Sequence, residues 1–157
     1  MNEQTAPRPR KPMPRLADYP HRVRDIVRFG DLDAQGHVNN AVFATYFESG
    51  RVALFRDRDL GIGVPNATYV LVRQEIDFLN ELHWPGDVEI GTALAEVGRS
   101  SFVMTQAIFS GDVCVAANRA TLVMLDSTTR RSRPLTPEAL ARLEPWRYRG
   151  DEPRRAP

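Results

Sequence analysis

Two aspartates, a histidine, two asparagines, a glutamate and an arginine crowd one stretch of the chain: Asp31, Asp33, His37, Asn39, Asn40, Glu48 and Arg51. A carboxylate such as Asp33 can attack an electrophilic carbon. It can equally draw a proton from a water that attacks instead. An aspartate in a polar loop also serves as a turn residue whose oxygens accept backbone N–H groups, and residue type alone leaves these roles open. Asp31, two positions earlier, reads as a brace for the same loop. His37 beside Gly36 offers acid–base chemistry, substrate orientation, or membership of a buried hydrogen-bond network. Glu48 and Arg51 are three apart and can pair on a helix, which a glutamate in an otherwise apolar segment would need if buried.

These residues must be positioned by the elements around them. His21 to Phe29 alternates roughly, with Val23, Ile26, Val27 and Phe29 against Arg22, Arg24 and Arg28, and predicts a strand that Gly30 stops. The polar, glycine-punctuated GDLDAQGHVNN follows. Residues 40–59 then predict a long helix. Val42, Phe43, Tyr46, Phe47, Gly50, Ala53 and Leu54 recur at spacings of mostly three and four, and Ala44, Val52 and Phe55 widen that face. Asn39 or Asn40 is suited to cap it, and Gly61 to stop it. After Gly61 the period becomes two. Strands are predicted over 69–79, 88–95, 102–108 and 113–125, with Gln74 as an exception to the first alternation. Pro85-Gly86-Asp87, Gly98-Arg99-Ser100 and Ser110-Gly111-Asp112 read as hairpin connections. A short helix over 136–143 is expected, with Thr136 as cap, Pro137 at its first position and Leu140 and Leu143 as a thin apolar face. A five-stranded antiparallel sheet has to bury one face, and helix 40–59 is the one segment long and apolar enough to cover it. The expected fold class is α+β, a curled sheet wrapped around a long central helix.

Composition narrows the function classes. The 157 residues make one domain's worth of chain, with 42% hydrophobic and 26% charged residues. The domain is expected over 21–148, between disordered Pro/Arg-rich tails at 1–20 and 149–157. A net charge of +1, with the basic residues gathered in those tails, argues against nucleic acid. The first residues carry no apolar core of a secretory signal, and no run is long enough to span a membrane, so a cytoplasmic location is expected. The single cysteine, Cys114, lies in an apolar run and reads as a buried inert thiol. His21, His37 and His83 show no metal-ligand spacing. Neither a phosphate-binding glycine loop nor a Gly-x-Ser-x-Gly elbow occurs.

The segment RFGDLDAQGHVNNAVFATYFESGR, residues 28–51, resembles the signature of the 4-hydroxybenzoyl-CoA thioesterase and acyl-CoA thioester hydrolase family. The pattern is Asp31-x-Asp33-x-x-Gly36-His37-Val38-Asn39-Asn40, then Phe43, Tyr46 and Glu48-x-x-Arg51. It continues through Glu75-Ile76-Asp77-Phe78 and Pro85-Gly86-Asp87. The resemblance implies the hot-dog fold and hydrolysis of an acyl-CoA thioester. It implies a homodimer whose sheets join edge to edge with sites at the protomer boundary, and tetramers as dimers of dimers. It assigns Asp33 as nucleophile or general base and the backbone amide of Asn40 as the oxyanion donor. It leaves His37 between a direct and a supporting role, and gives Glu48 a minor role in holding water. Relatives acting on acyl-carrier protein carry an asparagine two residues before the histidine, where this chain has Gln35. Acyl-carrier-protein thioesters and a non-catalytic acyl-thioester binding module are the alternatives. No metal or cofactor is expected, coenzyme A being part of the substrate.

Overall fold

The computed structural model describes residues 13–150 except 58 and 60. The strands are β1 (His21–Val27), β2 (Ala67–Phe78), β3 (Gly86–Val97), β4 (Ser101–Ser110) and β5 (Val113–Asp126). They form one antiparallel sheet in the order β1-β3-β4-β5-β2. Helix α1 (Asn40–Arg56) follows β1, and α2 (Pro137–Leu143) follows β5.

Helix α1 is 17 residues long and ends at Arg56, three residues before the expected Asp59. Asp57 turns out of the helical region, with ψ of 129°. The apolar stripe places Phe43, Tyr46, Phe47, Gly50 and Leu54 against the sheet. Burying side chains of this kind contributes about 1.5–3 kcal/mol each. The helix packs mainly on β1, β3 and β4. Ile62, Val64, Leu135 and, from α2, Ala139 and Leu143 join Leu54 over Leu94, Phe102, Met104 and Leu122. The expectation of one long helix inside a sheet wrapped around it is thus corrected to a shorter helix sharing the face with α2. Gly50 permits the close approach, since a Cβ there would stand 2.7 Å from Ile90 Cγ2.

A polar cluster fixes the helix on the sheet. Gln106, in the middle of β4, donates from Nε2 to the Phe47 carbonyl at 2.9 Å and to Thr92 Oγ1 at 3.0 Å. Its Oε1 accepts from Arg51 at 2.9 Å and from Asn118 at 3.0 Å. Arg51 therefore turns into the core, 5% exposed, and makes no ion pair with Glu48 within 4 Å among the described residues. Burial pulls the guanidinium below its ordinary pKa, and the Glu48 charge pulls it back in part. In place of the expected Glu48–Arg51 pair, the guanidinium donates to the neutral side chain of Gln106.

The irregular alternation of β2 has a cause. The register against β5 shifts between Leu71 and Arg73, leaving Val72 as the extra, exposed residue of a bulge. The bulge resets the phase, so Gln74 shares a face with Ile76 and Phe78, opposite Ala120, Asn118 and Ala116. In β1 the expected alternation fails at one position, where Ile26 is exposed and Asp25 half-buried. Residues 29–31 form a 3-10 turn instead of prolonging the strand. Thr136 caps α2 as expected, accepting from the Ala139 amide at 3.1 Å, but Ala139 replaces Leu140 on the buried side.

The second face of the sheet is covered near β3 by the segment before β1. Tyr19 is buried against Gly91 and packs edge-on to Phe109 and against Tyr148. Asp18 is buried, ion-paired with Arg15 at 2.8 Å, and its carbonyl accepts from the Arg149 amide at 3.0 Å. The domain boundary expected at residue 21 therefore moves toward the N-terminus, because Leu16 and Tyr19 supply an apolar anchor inside a Pro/Arg-rich segment. Residues 1–12 and 151–157 lie outside the described residues.

Candidate active site

The loop between β1 and α1 is folded on itself by hydrogen bonds that its own sequence supplies. Leu32 and Val38 form an isolated antiparallel bridge. The Asp33 amide donates to the His37 carbonyl at 2.8 Å, and Gly36 takes a φ of +81°, which a residue without Cβ adopts readily. Val38 donates to the Leu82 carbonyl at 2.8 Å, tying the loop to the connection between β2 and β3, and Asn39 donates to the Asp31 carbonyl at 2.9 Å at the start of the helix.

Asp31 braces this loop, as expected. Its Oδ2 accepts the Arg28 amide at 2.8 Å and the Tyr46 hydroxyl at 2.6 Å. Burial, followed by that hydrogen bond to Asp31, pushes the Tyr46 phenol well above its ordinary pKa, so it remains a donor.

Asp33 is half-buried. Its Oδ1 accepts the amides of Gln35 at 2.8 Å and His37 at 3.2 Å. Among the described hydrogen bonds Oδ2 has no partner. The turn-residue role and the chemical role thus fall on different oxygens of one carboxylate: one is anchored, the other is available.

At the start of α1, Asn39 is the cap. Its side chain accepts the Ala41 amide and its carbonyl the Val42 amide, both at 2.9 Å. Asn40 is the first helical residue, and its amide has no acceptor among the described residues. An orphan N–H at a helix N-terminus suits an oxygen on which negative charge develops.

Asp33, Gln35, His37 and Asn40 line one open cavity of about 350 Å³ with Phe43, Phe78 and Glu81. Phe43 and Phe78 meet edge to face at 5.3 Å and give it an apolar wall. Of the expected site residues, Asp33, His37 and Asn40 come together here. Glu48 is exposed on α1 and is absent from the cavity lining.

The sequence reasoning missed Glu81 and His83. Glu81 Oε2 stands 3.6 Å from His37 Nε2 and 3.4 Å from His83 Nε2, and the two imidazoles meet edge to face at 5.0 Å. His37, Glu81 and His83 bring their ligand atoms within 4.8 Å of one another, a grouping that the spacing of the histidines along the chain does not signal. His37 and His83 are remote in sequence, so no spacing signal existed. The contact arises because Val38 is pinned to Leu82.

The arrangement can place a carbonyl oxygen at the Asn40 amide with a carboxylate beside the carbonyl carbon, which is the requirement of acyl transfer. The chain is similar to several known proteins. A protein from Pseudomonas aeruginosa strain PAO1 shares the fold with a TM-score of 0.78 at 24% identity, over 89% of this chain and 100% of that one. A thioesterase from Thermus thermophilus, solved in complex with coenzyme A and Zn, is 32% identical with a TM-score of 0.71, over 82% of this chain and 95% of that one. A curated relative from Aquifex aeolicus (strain VF5) is 29% identical over 105 residues, 62% of this chain and 78% of the relative. The model of the thioesterase-like superfamily matches residues 27–143, from the end of β1 through α2 and across every residue of the cavity, and the chain belongs to that superfamily.

Proposed function

We propose that this protein hydrolyses an acyl-CoA thioester to a free acid and coenzyme A. The observation that carries the reading is the pairing, in one cavity, of a carboxylate with a free oxygen at Asp33 and an unpartnered helix amide at Asn40. The Thermus relative that binds coenzyme A favours a CoA thioester over other acyl carriers. So does Gln35 in place of the asparagine of carrier-protein enzymes.

In this reading the thioester oxygen sits at the Asn40 amide, which stabilises the charge that grows as the carbonyl carbon becomes tetrahedral. Asp33 Oδ2 then acts by one of two routes. As general base it takes a proton from water, whose oxygen bonds to the carbon; the C–S bond breaks and the CoA thiolate takes up a proton. As nucleophile it bonds to the carbon itself and expels the thiolate, and water then opens the mixed anhydride. Phe43 and Phe78 meet the acyl group. His37 serves as an acid–base or orienting group and Glu48 as a minor contributor. Neither route draws on a metal or a cofactor.

The reading includes a cytoplasmic homodimer, or a tetramer of two such dimers. No helix among the described residues is long and apolar enough to cross a membrane. Strand β2 is a 12-residue sheet edge with Leu71, Val72 and Phe78 exposed, a liability that pairing with a second copy removes. Phe78 then brings the cavity to the protomer boundary.

The test is a thiol-release screen across short, long, branched and aromatic acyl-CoAs beside acyl-carrier-protein substrates, with sedimentation equilibrium on the same sample. Turnover of at least one acyl-CoA by a dimer or larger species is expected. Turnover of carrier-protein substrates alone would reassign the carrier. Tight acyl-CoA binding without thiol release would make the protein a binding module.

A further inference from the structure

We propose that His37, Glu81 and His83 form a binding site for one Zn2+ ion, or a divalent ion of similar ligand preference, at the rim of the cavity. Their ligand atoms all lie within 4.8 Å of one another. The two Glu81–histidine separations, 3.6 and 3.4 Å, are longer than N–H···O hydrogen bonds of about 2.7–3.2 Å. They match the spacing of ligands around an ion: with metal–ligand distances of about 2.0–2.1 Å, the edge of a tetrahedron is about 3.3–3.4 Å. The Glu81 oxygen thus sits beyond ordinary hydrogen-bond reach of both imidazoles and near the ligand–ligand spacing that a shared ion sets, with all three ligand atoms gathered within 4.8 Å.

The backbone sets up this arrangement. His37 closes the loop that Asp33 anchors, and the Val38–Leu82 hydrogen bond fixes its distance from the segment carrying Glu81 and His83. His83 is 55% exposed and Glu81 65% in their side chains, which gives an ion direct entry from solvent. Two imidazoles and one carboxylate suit Zn2+, Co2+, Ni2+ or Cu2+ and disfavour Mg2+ and Ca2+, which prefer all-oxygen ligands. Three protein ligands leave a fourth position open. His37 and Glu81 line the cavity while His83 does not, so the ion would be held at its mouth.

An ion here would share His37 with the hydrolytic reading and leave that imidazole an orienting role, so the test of the proposal does not use turnover. The chelator-treated protein is titrated with Zn2+ against a chromogenic competitor and with Co2+ by visible absorption, with Mg2+ as control. Saturable binding of one Zn2+ per chain and a tetrahedral Co2+ spectrum are expected, with no response to Mg2+. Outer partners of metal ligands alone contribute about 10–100-fold in affinity, so His83→Ala and Glu81→Gln should each weaken Zn2+ binding by at least about tenfold. In the wild-type protein Zn2+ should also shield His37 and His83 from diethylpyrocarbonate, mapped by mass spectrometry, a readout that does not depend on the variants folding. Absence of saturable Zn2+ binding overturns the proposal. So does wild-type affinity in both variants, or labelling of His37 and His83 that Zn2+ leaves unchanged.

Discussion

Replacing Asp33 with asparagine separates the two roles that its oxygens divide. The anchored Oδ1 accepts two backbone amides, from Gln35 and His37. An asparagine Oδ1 can accept both in the same geometry, so the loop should keep its shape. What is lost is the charge assistance: hydrogen bonds to charged groups contribute about 1.5–3 kcal/mol against about 1 kcal/mol for neutral ones. In a half-exposed loop the two bonds together should lose about 1 kcal/mol, a fall in Tm of about 3–5 °C. The effect on chemistry should be much larger. Neither a nucleophile nor a general base survives the removal of the carboxylate, and a hundredfold loss of kcat corresponds to about 2.7 kcal/mol. The assay is kcat on the best acyl-CoA, beside a melting curve and the binding constant of a non-hydrolysable analogue. A loss of about a hundredfold or more with near-normal binding and a small change in Tm is expected. A folded, binding-competent Asp33→Asn protein that keeps more than about a third of wild-type kcat would sink the assignment, and Asp33 would then be a turn residue alone.

Tyr46→Phe removes the 2.6 Å bond to Asp31 but leaves that carboxylate the Arg28 amide; a stability loss of about 1–2 kcal/mol is expected, and an unchanged denaturant midpoint would show that Tyr46 does not brace the loop. Tyr19→Ala should cost about 3–5 kcal/mol, because the ring is fully buried against Gly91. A truncation through Tyr19 should be as damaging, and a neutral truncation would refute the docking of the N-terminal segment. Burial pushes the phenols of Tyr19, Tyr46 and Tyr69 above their ordinary pKa. They contribute stability that is fully present below the unfolded value of about 10 and is lost as pH rises beyond it, so Tm should fall steeply above about pH 10. A flat profile to about pH 12 would contradict this. Burial likewise pushes the Cys114 thiol up to about 11, a backbone hydrogen bond with Ala116 opposing it in part. The native protein should react slowly with a thiol reagent at about pH 8 and rapidly once unfolded, and fast native labelling would refute the inert reading.

Local chemistry was legible in the sequence. Asn39 marks the start of α1 because a cap acts over three residues. Thr136 and Pro137 mark α2 for the same reason. Period-two runs located β3, β4 and β5, whose alternation depends only on which face is buried. The pattern from Asp31 to Asn40 was readable because the loop is held by bonds within itself, so the site's carboxylate and amide are neighbours in chain as well as in space.

Wherever a long-range contact competed with local pattern, the tertiary structure decided. The bulge at Val72 came from pairing with β5 and turned Gln74 inward. Arg51 left Glu48 for Gln106, since a guanidinium entering the core takes the acceptor that is already buried there. Tyr19 anchored a segment whose composition argued for disorder, because the sheet has a glycine at position 91 where a ring can lie. Glu81 and His83 joined His37 through one backbone bond between Val38 and Leu82, a contact that no spacing along the chain encodes. Sequence periodicity records what each residue needs from its neighbours in the element. It does not record which distant residue arrives to provide it.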